Sequence, residues 1–189
     1  MFDAARFAQV LRGLRLILVL EPGGLSFFEK SYAGFVRSFM PALVLAPLQI
    51  VHITAVYLAK DPAPGLAATV IVESLAYVVS WTLFPFVMMY LTRSMGKTDK
   101  YFTYIVPYNW LQLLVGLIAL PLTLLVDVQY LGNDGAIFFN FMLLGFFLVY
   151  GAFLAYAALE ISPWTAFGIV AMDILLSLVS SEIIDNIPT

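Results

Sequence analysis

Four side chains able to exchange protons or hold strong hydrogen bonds fall inside runs that are otherwise apolar: His52, Glu73, Gln112 and Asp173. Glu73 is the sharpest case. The run 66–92 around it carries no other charge. At about 1.5 Å per residue it measures roughly 40 Å, enough to cross a hydrocarbon layer of about 30 Å with tilt. A carboxylate there costs about 2.5–3.5 kcal/mol on insertion scales unless something pairs or protonates it. In one reading the carboxylates and the histidine mark a proton or cation path. In the other they bond to one another, or to nearby hydroxyls, and only fix which helix neighbours which. A further polar stripe lies on the last apolar run, where Asp173, Ser177, Ser180 and Ser181 share one helical face and should meet protein or water in preference to lipid.

Other chemistries have no residues to carry them. The chain has no cysteine, which removes thiolate, disulfide and cysteine-metal chemistry, and its single histidine excludes a multi-histidine metal site. No phosphate-cradling glycine loop, nucleophile elbow or zinc-protease helix occurs. No catalytic, cofactor-binding or metal-binding residues are therefore expected, and the chain reads as a non-enzyme. A net charge of -3 without a basic aromatic face argues against a nucleic-acid partner. With 62% hydrophobic and 11% charged residues and a mean hydropathy of +0.97, the composition belongs to a polytopic membrane protein.

The elements that must position these groups read as five spans, about 38–59, 66–92, 102–126, 136–159 and 164–184, after a cytoplasmic or interfacial segment 1–37. The expected fold is an all-α membrane protein, a five-transmembrane-helix bundle preceded by an N-terminal amphipathic interfacial helix. In that first helix Phe7, Val10, Leu11, Leu14, Ile17 and Leu18 share one face, while Arg6, Arg12 and Arg15 form a basic face suited to a membrane surface. The same apolar face would equally serve to pack on the spans. Glu21, Pro22, Gly23 and Gly24 break the helix. Ser26 and Glu29 then have capping-box spacing, which predicts that a second helix starts there and leads into the first span.

The Pro-rich turn 60–65 folds spans one and two into an antiparallel hairpin. Pro107 and Pro121 interrupt the third span. Gly151 and Ala155 in the fourth allow close packing within the bundle, or less readily self-association. Ser162 and Pro163 are placed to cap the fifth. That fifth segment carries its polar stripe, so a four-span arrangement with an interfacial last helix is the main competitor. Tyr101, Tyr104, Trp110 and Trp164 are placed as interfacial anchors. Eight of the nine Lys and Arg precede the first span or sit in the loop 93–100, which puts the N-terminus in the cytoplasm and the C-terminus outside.

Depth counting gathers the polar groups. His52 lies ten residues before Pro62 and Glu73 eleven after it, and Asp173 is nine residues into the fifth span with Gln112 about as far into the third. At 1.5 Å per residue all four come near the midplane, giving a candidate intramembrane polar cluster of His52, Glu73, Gln112 and Asp173.

A cytosolic N-terminal segment, five closely spaced spans, and the basic, glycine-containing stretch 91–102 (LTRSMGKTDKYF) running into the third span resemble the bacterial branch of the Yip-domain family of integral membrane proteins. The resemblance covers about 27–184. It implies a non-enzymatic role in membrane organisation and a bacterial inner-membrane location. Eukaryotic members bind small GTPases, but this chain has no long polar N-terminal region, and 29–35 (EKSYAGF) is not their acidic-aromatic motif. A GTPase partner is not expected.

The expectation is thus a structural or interaction protein whose partners are the lipid bilayer and another membrane protein, or a second copy through the fourth span. The alternative is a small proton or cation transporter or channel component using His52, Glu73 and Asp173.

Overall fold

Within hydrocarbon a chain can satisfy its backbone amides internally only by coiling into helices or closing a barrel. A computed structural model of the chain describes residues 4–59, 65–127 and 130–187, and among them there is no strand. The elements are α1 (Ala4–Leu18), a 3-10 turn (Pro22–Phe27), α2 (Tyr32–Arg37), α3 (Met40–Ala59), α4 (Leu66–Ser94), a second 3-10 turn (Thr98–Lys100), α5 (Tyr101–Asp127), α6 (Gly132–Phe146), a π turn (Phe147–Gly151), α7 (Ala152–Leu159) and α8 (Pro163–Asp185). Five helical stretches are long and apolar enough to cross a membrane: Tyr32–Ala55, Leu66–Ser94, Thr98–Val126, Gly132–Leu159 and Pro163–Ile184. The chain is an all-α bundle of a membrane protein. Most of the turn expected at 60–65 lies outside the described residues.

α8 is one uninterrupted helix of 23 residues, which is span length, so its polar stripe does not shorten it. It starts as the sequence dictates: the Ser162 hydroxyl accepts from the Thr165 amide at 3.1 Å, and Pro163 fills the first position. The capping box expected at Ser26 does not form. The residues Pro22–Phe27 take a 3-10 turn instead, with the Ser26 hydroxyl donating to the Gly23 carbonyl. Helix starts again only at Tyr32, with Ser31 as the N-cap that accepts from the Gly34 amide at 3.1 Å. Glu29 is drawn away from any capping role by Ser31 and Arg37, both of which donate to its carboxylate. Pro107 and Pro121 do not interrupt α5, which runs unbroken from Tyr101 to Asp127.

α5 is the axis of the bundle and supplies many of its buried side chains, among them Tyr104, Ile105, Val106, Asn109 and Leu113. α3 runs parallel to it: Asn109 bonds to Ser38, and a Cβ on Gly116 would strike the Leu45 side chain. α7 and α8 form a hairpin in which Gly151 lets Val170 approach to 3.1 Å of where a Cβ would stand, a packing use of the small residues within the bundle. α4 packs on α8 and α5. Tyr104 and Trp110, expected as interfacial anchors, are instead core residues at 1% and 8% exposure, whereas Trp164 is 85% exposed.

α1 lies against the 3-10 turn and α5, with Leu14 and Ile17 fully buried and Phe7 against Trp110 at 6.1 Å between ring centroids. Its seat depends on glycine: a Cβ at Gly13 would meet the Phe28 ring at 2.6 Å, and one at Gly24 the Gly13 carbonyl at 2.7 Å. The expected apolar face therefore divides. Phe7, Val10, Leu14 and Ile17 pack on protein, while Leu11 and Leu18 stay exposed beside it. The N-terminal end of the bundle is closed by Lys100, whose ammonium meets Glu160 at 2.5 Å and holds that carboxylate below its usual range.

Candidate functional site

α5 carries Tyr104, Tyr108 and Gln112 at four-residue spacing, so the three side chains stack along one face. Parallel to it, α8 brings Asp173 to that face. The Gln112 amide donates to the Tyr108 hydroxyl at 2.8 Å, and the Tyr108 hydroxyl donates to Asp173 Oδ2 at 2.7 Å. One phenol thus joins two helices and two of the expected polar residues. Phe84 of α4 packs on the Tyr108 ring at 4.6 Å, and Tyr104 lies 5.8 Å from Tyr108. Phe84 and Tyr104 are 3% and 1% exposed. These three rings form a plug from which apolar packing continues toward the N-terminal end.

On the other side of the plug is a cavity of about 590 Å³ walled by α3, α4, α5, α6 and α8. It follows α8 from Asp173 to Ile184, near the last residue of the helix, a length of about 16 Å. The lining is largely apolar, with Gln49, Ser80, Asn140, Gln112 and the three serines of the α8 stripe adding hydroxyls and amides. Asp173 is the one charged residue among those that line it. Ser177, Ser180 and Ser181 therefore face this space with Asp173, as their spacing requires. The volume is that of sites that hold small solutes.

His52 and Glu73 are placed elsewhere. Both are half-buried, on α3 and α4 respectively, and neither lines the cavity. Among the described residues no hydrogen bond or ion pair joins Glu73 to His52, or either of them to Gln112 or Asp173. Glu73 lies eleven residues along α4 from Phe84, about 16 Å from the plug. The depth count merged two levels because it measured Asp173 from one surface and Glu73 from the other, assuming helices of bilayer thickness. α4 has 29 residues, so about 43 Å separates its ends and the two counts stop short of each other.

Tyr108 is the residue of this candidate site that depth counting missed. Its signal was present in the i to i+4 relation to Gln112 on a helix with other polar groups, but it is one of ten tyrosines in an aromatic-rich chain. Asn109, the neighbour of Tyr108, also borders the cavity but is committed to a different contact. Its amide donates to the Ser38 hydroxyl at 2.9 Å, which donates to the Phe35 carbonyl at 2.7 Å, so a fully buried polar chain ties α5 to the start of the first span. Of the basic face, Arg12 and Arg15 are exposed, while Arg6 stands 3.7 Å from Glu29. Among the described residues no three of His, Cys, Asp and Glu gather as a metal site would require. No family model, curated protein or solved structure matches the chain.

Proposed function

We propose that the chain is a non-enzymatic integral membrane protein that takes a small cation or a proton into the vestibule ending at Asp173. The observation that carries this is a lone carboxylate at the floor of a solute-sized cavity whose described lining holds no cation to balance it. A single hydrogen bond from Tyr108 leaves the remaining acceptor positions of Asp173 for a solute or water. Access to water also reduces the burial cost that a carboxylate meets in hydrocarbon. This narrows the transport reading to Asp173, with Gln112 and Tyr108 positioning it, and leaves His52 and Glu73 out of the path. The distribution of Lys and Arg supports an N-terminus in the cytoplasm and a vestibule open to the outside, and the resemblance to the bacterial Yip-domain branch supports a bacterial inner membrane.

The test is flux in liposomes loaded with a pH-sensitive dye. Proton or cation entry by the wild type that is lost in Asp173→Asn and kept in Glu73→Gln supports the reading. Equal flux in wild type and Asp173→Asn refutes it. The second reading, a structural or interaction protein of the membrane related to the Yip-domain family, is favoured by the docked platform of α1 and α2 on the bundle. It is supported if the wild type passes nothing and a membrane partner co-purifies with the chain but not with a variant in which α1 is undocked by Gly13→Leu. A reporter fused after Thr189 that is active only in the cytoplasm would refute the orientation.

A further inference from the structure

The vestibule that ends at Asp173 has an aromatic wall as well as a charged floor. α4 turns Tyr77, Trp81 and Phe84 to one face, at helical spacing, and all three line the cavity. Phe84 belongs to the plug, packed at 4.6 Å on the ring of Tyr108, whose hydroxyl donates to Asp173. From Phe84, Trp81 and Tyr77 stand about 4.5 Å and 10.5 Å further along the helix axis, so a ladder of rings follows the vestibule away from the carboxylate. The ladder is fixed in place. The Tyr77 hydroxyl donates to the Ala42 carbonyl of α3 at 2.6 Å, and the Tyr77 and Trp81 rings meet edge to face with 6.3 Å between centroids.

One carboxylate beside a row of rings discriminates among cations. A proton needs no chamber of about 590 Å³. A bare metal ion needs several oxygen ligands at once, about six to eight for calcium. Here the Tyr108 hydroxyl and the Gln112 amide nitrogen are committed to hydrogen bonds, and no metal-type cluster of His, Cys, Asp and Glu gathers among the described residues. A hydrated inorganic ion would keep the apolar walls wet without gain. An organic ammonium ion uses every part of the space. Its N–H donors reach the acceptor positions of Asp173 that Tyr108 leaves open, its charge is attracted by ring faces, and its apolar body covers wall that water would otherwise meet. We infer that the solute of this vestibule is an organic monoammonium ion with an aromatic body, its nitrogen on Asp173 and its body along Trp81 and Tyr77. This rests on the reading of Asp173 as the group that receives a cation, and it names the class of that cation. Asp173 is the one acid among the lining residues, which selects a single ammonium group over a diamine.

The experiment is equilibrium dialysis of the full chain in detergent micelles against radiolabelled 2-phenylethylammonium and 2-phenylethanol, with protein-free micelles as the blank. The wild type should hold the ammonium ion about tenfold more tightly than the alcohol, and about tenfold more tightly than methylammonium used as competitor, the scale of one charge-assisted bond and of one buried ring respectively. Asp173→Asn, which keeps a carbonyl oxygen for Tyr108 to donate to, should lose the preference for the cation yet bind the alcohol as the wild type does, which shows that the variant is folded. Trp81→Leu should weaken 2-phenylethylammonium about fivefold and leave hexylammonium unchanged, because only the ring contact is removed. If sodium or methylammonium competes as well as 2-phenylethylammonium, the inference is overturned while Asp173 remains a cation site. If the alcohol binds the wild type as tightly as the ammonium ion, the cavity is an apolar slot and the inference is overturned. If Asp173→Asn holds the ammonium ion like wild type, the inference and the reading beneath it fall together. Asp173-dependent binding of 2-phenylethylammonium without proton or cation flux supports the inference and removes only the transport step.

Discussion

Tyr108→Phe removes one oxygen and, with it, two hydrogen bonds: the one accepted from Gln112 within α5 and the one donated to Asp173, which joins α5 to α8. Interhelical hydrogen bonds in membrane proteins average about 0.6 kcal/mol and reach about 1.7 kcal/mol. The bond to Asp173 belongs near the upper end, because its acceptor is a carboxylate. Water in the vestibule can replace part of what Asp173 loses, which moves the total away from the roughly 3 kcal/mol of a sealed, orphaned group. Tyr108→Phe should therefore cost about 1.5 kcal/mol. Combined with Asp173→Ala in a double-mutant cycle, it should show a coupling of about 1 kcal/mol. The measurement is reversible unfolding of the purified chain in mixed micelles of rising dodecyl sulfate content. A coupling below about 0.3 kcal/mol would mean that the phenol and the carboxylate do not act as a pair, and the account of the plug would fall with it.

Other outcomes follow from single contacts. Asn109→Ala removes the amide that donates to the Ser38 hydroxyl, which keeps its own bond to the Phe35 carbonyl, and should cost about 0.5–1.5 kcal/mol in the same assay; a silent variant would refute the α3–α5 tie. Gly34→Ala drives a Cβ into the Glu29 backbone carbonyl, which cannot swing aside, so it should cost at least the 1–3 kcal/mol typical of overpacking and loosen residues 29–37 in hydrogen exchange. Replacing Lys100 or Glu160 by Gln should leave stability unchanged, since that pair is exposed. Glu29 sets a pH dependence: hydrogen bonds from Ser31 and Arg37 hold its carboxyl below the ordinary 4.5. Its stabilising effect is complete above that value and is lost as pH falls through the lower folded value. Hydrogen exchange of 29–37 should rise on acidification below 4.5, weakly because the group is 44% exposed, and Glu29→Gln should abolish the dependence.

Much of this fold was written in apolar run length and in local punctuation. Ser162 and Pro163 start α8 as their types demand, and the α8 stripe faces the cavity its spacing called for. Ser26 misled because a capping box and a 3-10 turn use the same residues, and the choice was made by Gly13 and Gly24, which bring α1 so close that no helix can begin there. Prolines misled as well: α5 keeps its helical winding through Pro107 and Pro121, as prolines in membrane-spanning helices are tolerated where the surroundings satisfy the freed backbone groups. The site was half legible. Composition exposes which side chains are costly in hydrocarbon, so Asp173 and Gln112 stood out. Helix rotation and excess helix length decide which of them meet, and neither is encoded in a count from a loop.

The π turn at Phe147–Gly151 gives the fourth span one residue more than regular α-helical winding would use. Each residue of an α-helix turns the chain by about 100°, so this surplus sets the phase between the two halves of the span. On the α7 side it presents Gly151, Ala152 and Ala155 to the bundle, and on the α6 side it aims Asn140 and Leu144 at the vestibule. Deleting Val149 would let the span wind evenly, and with α7 pinned against α8 the whole correction would fall on α6. Asn140 would rotate away and a different row of side chains would become the vestibule wall. The wall of the Asp173 cavity is thus chosen by a single unit of helical phase, and a one-residue deletion would rewrite it without touching any residue that lines it.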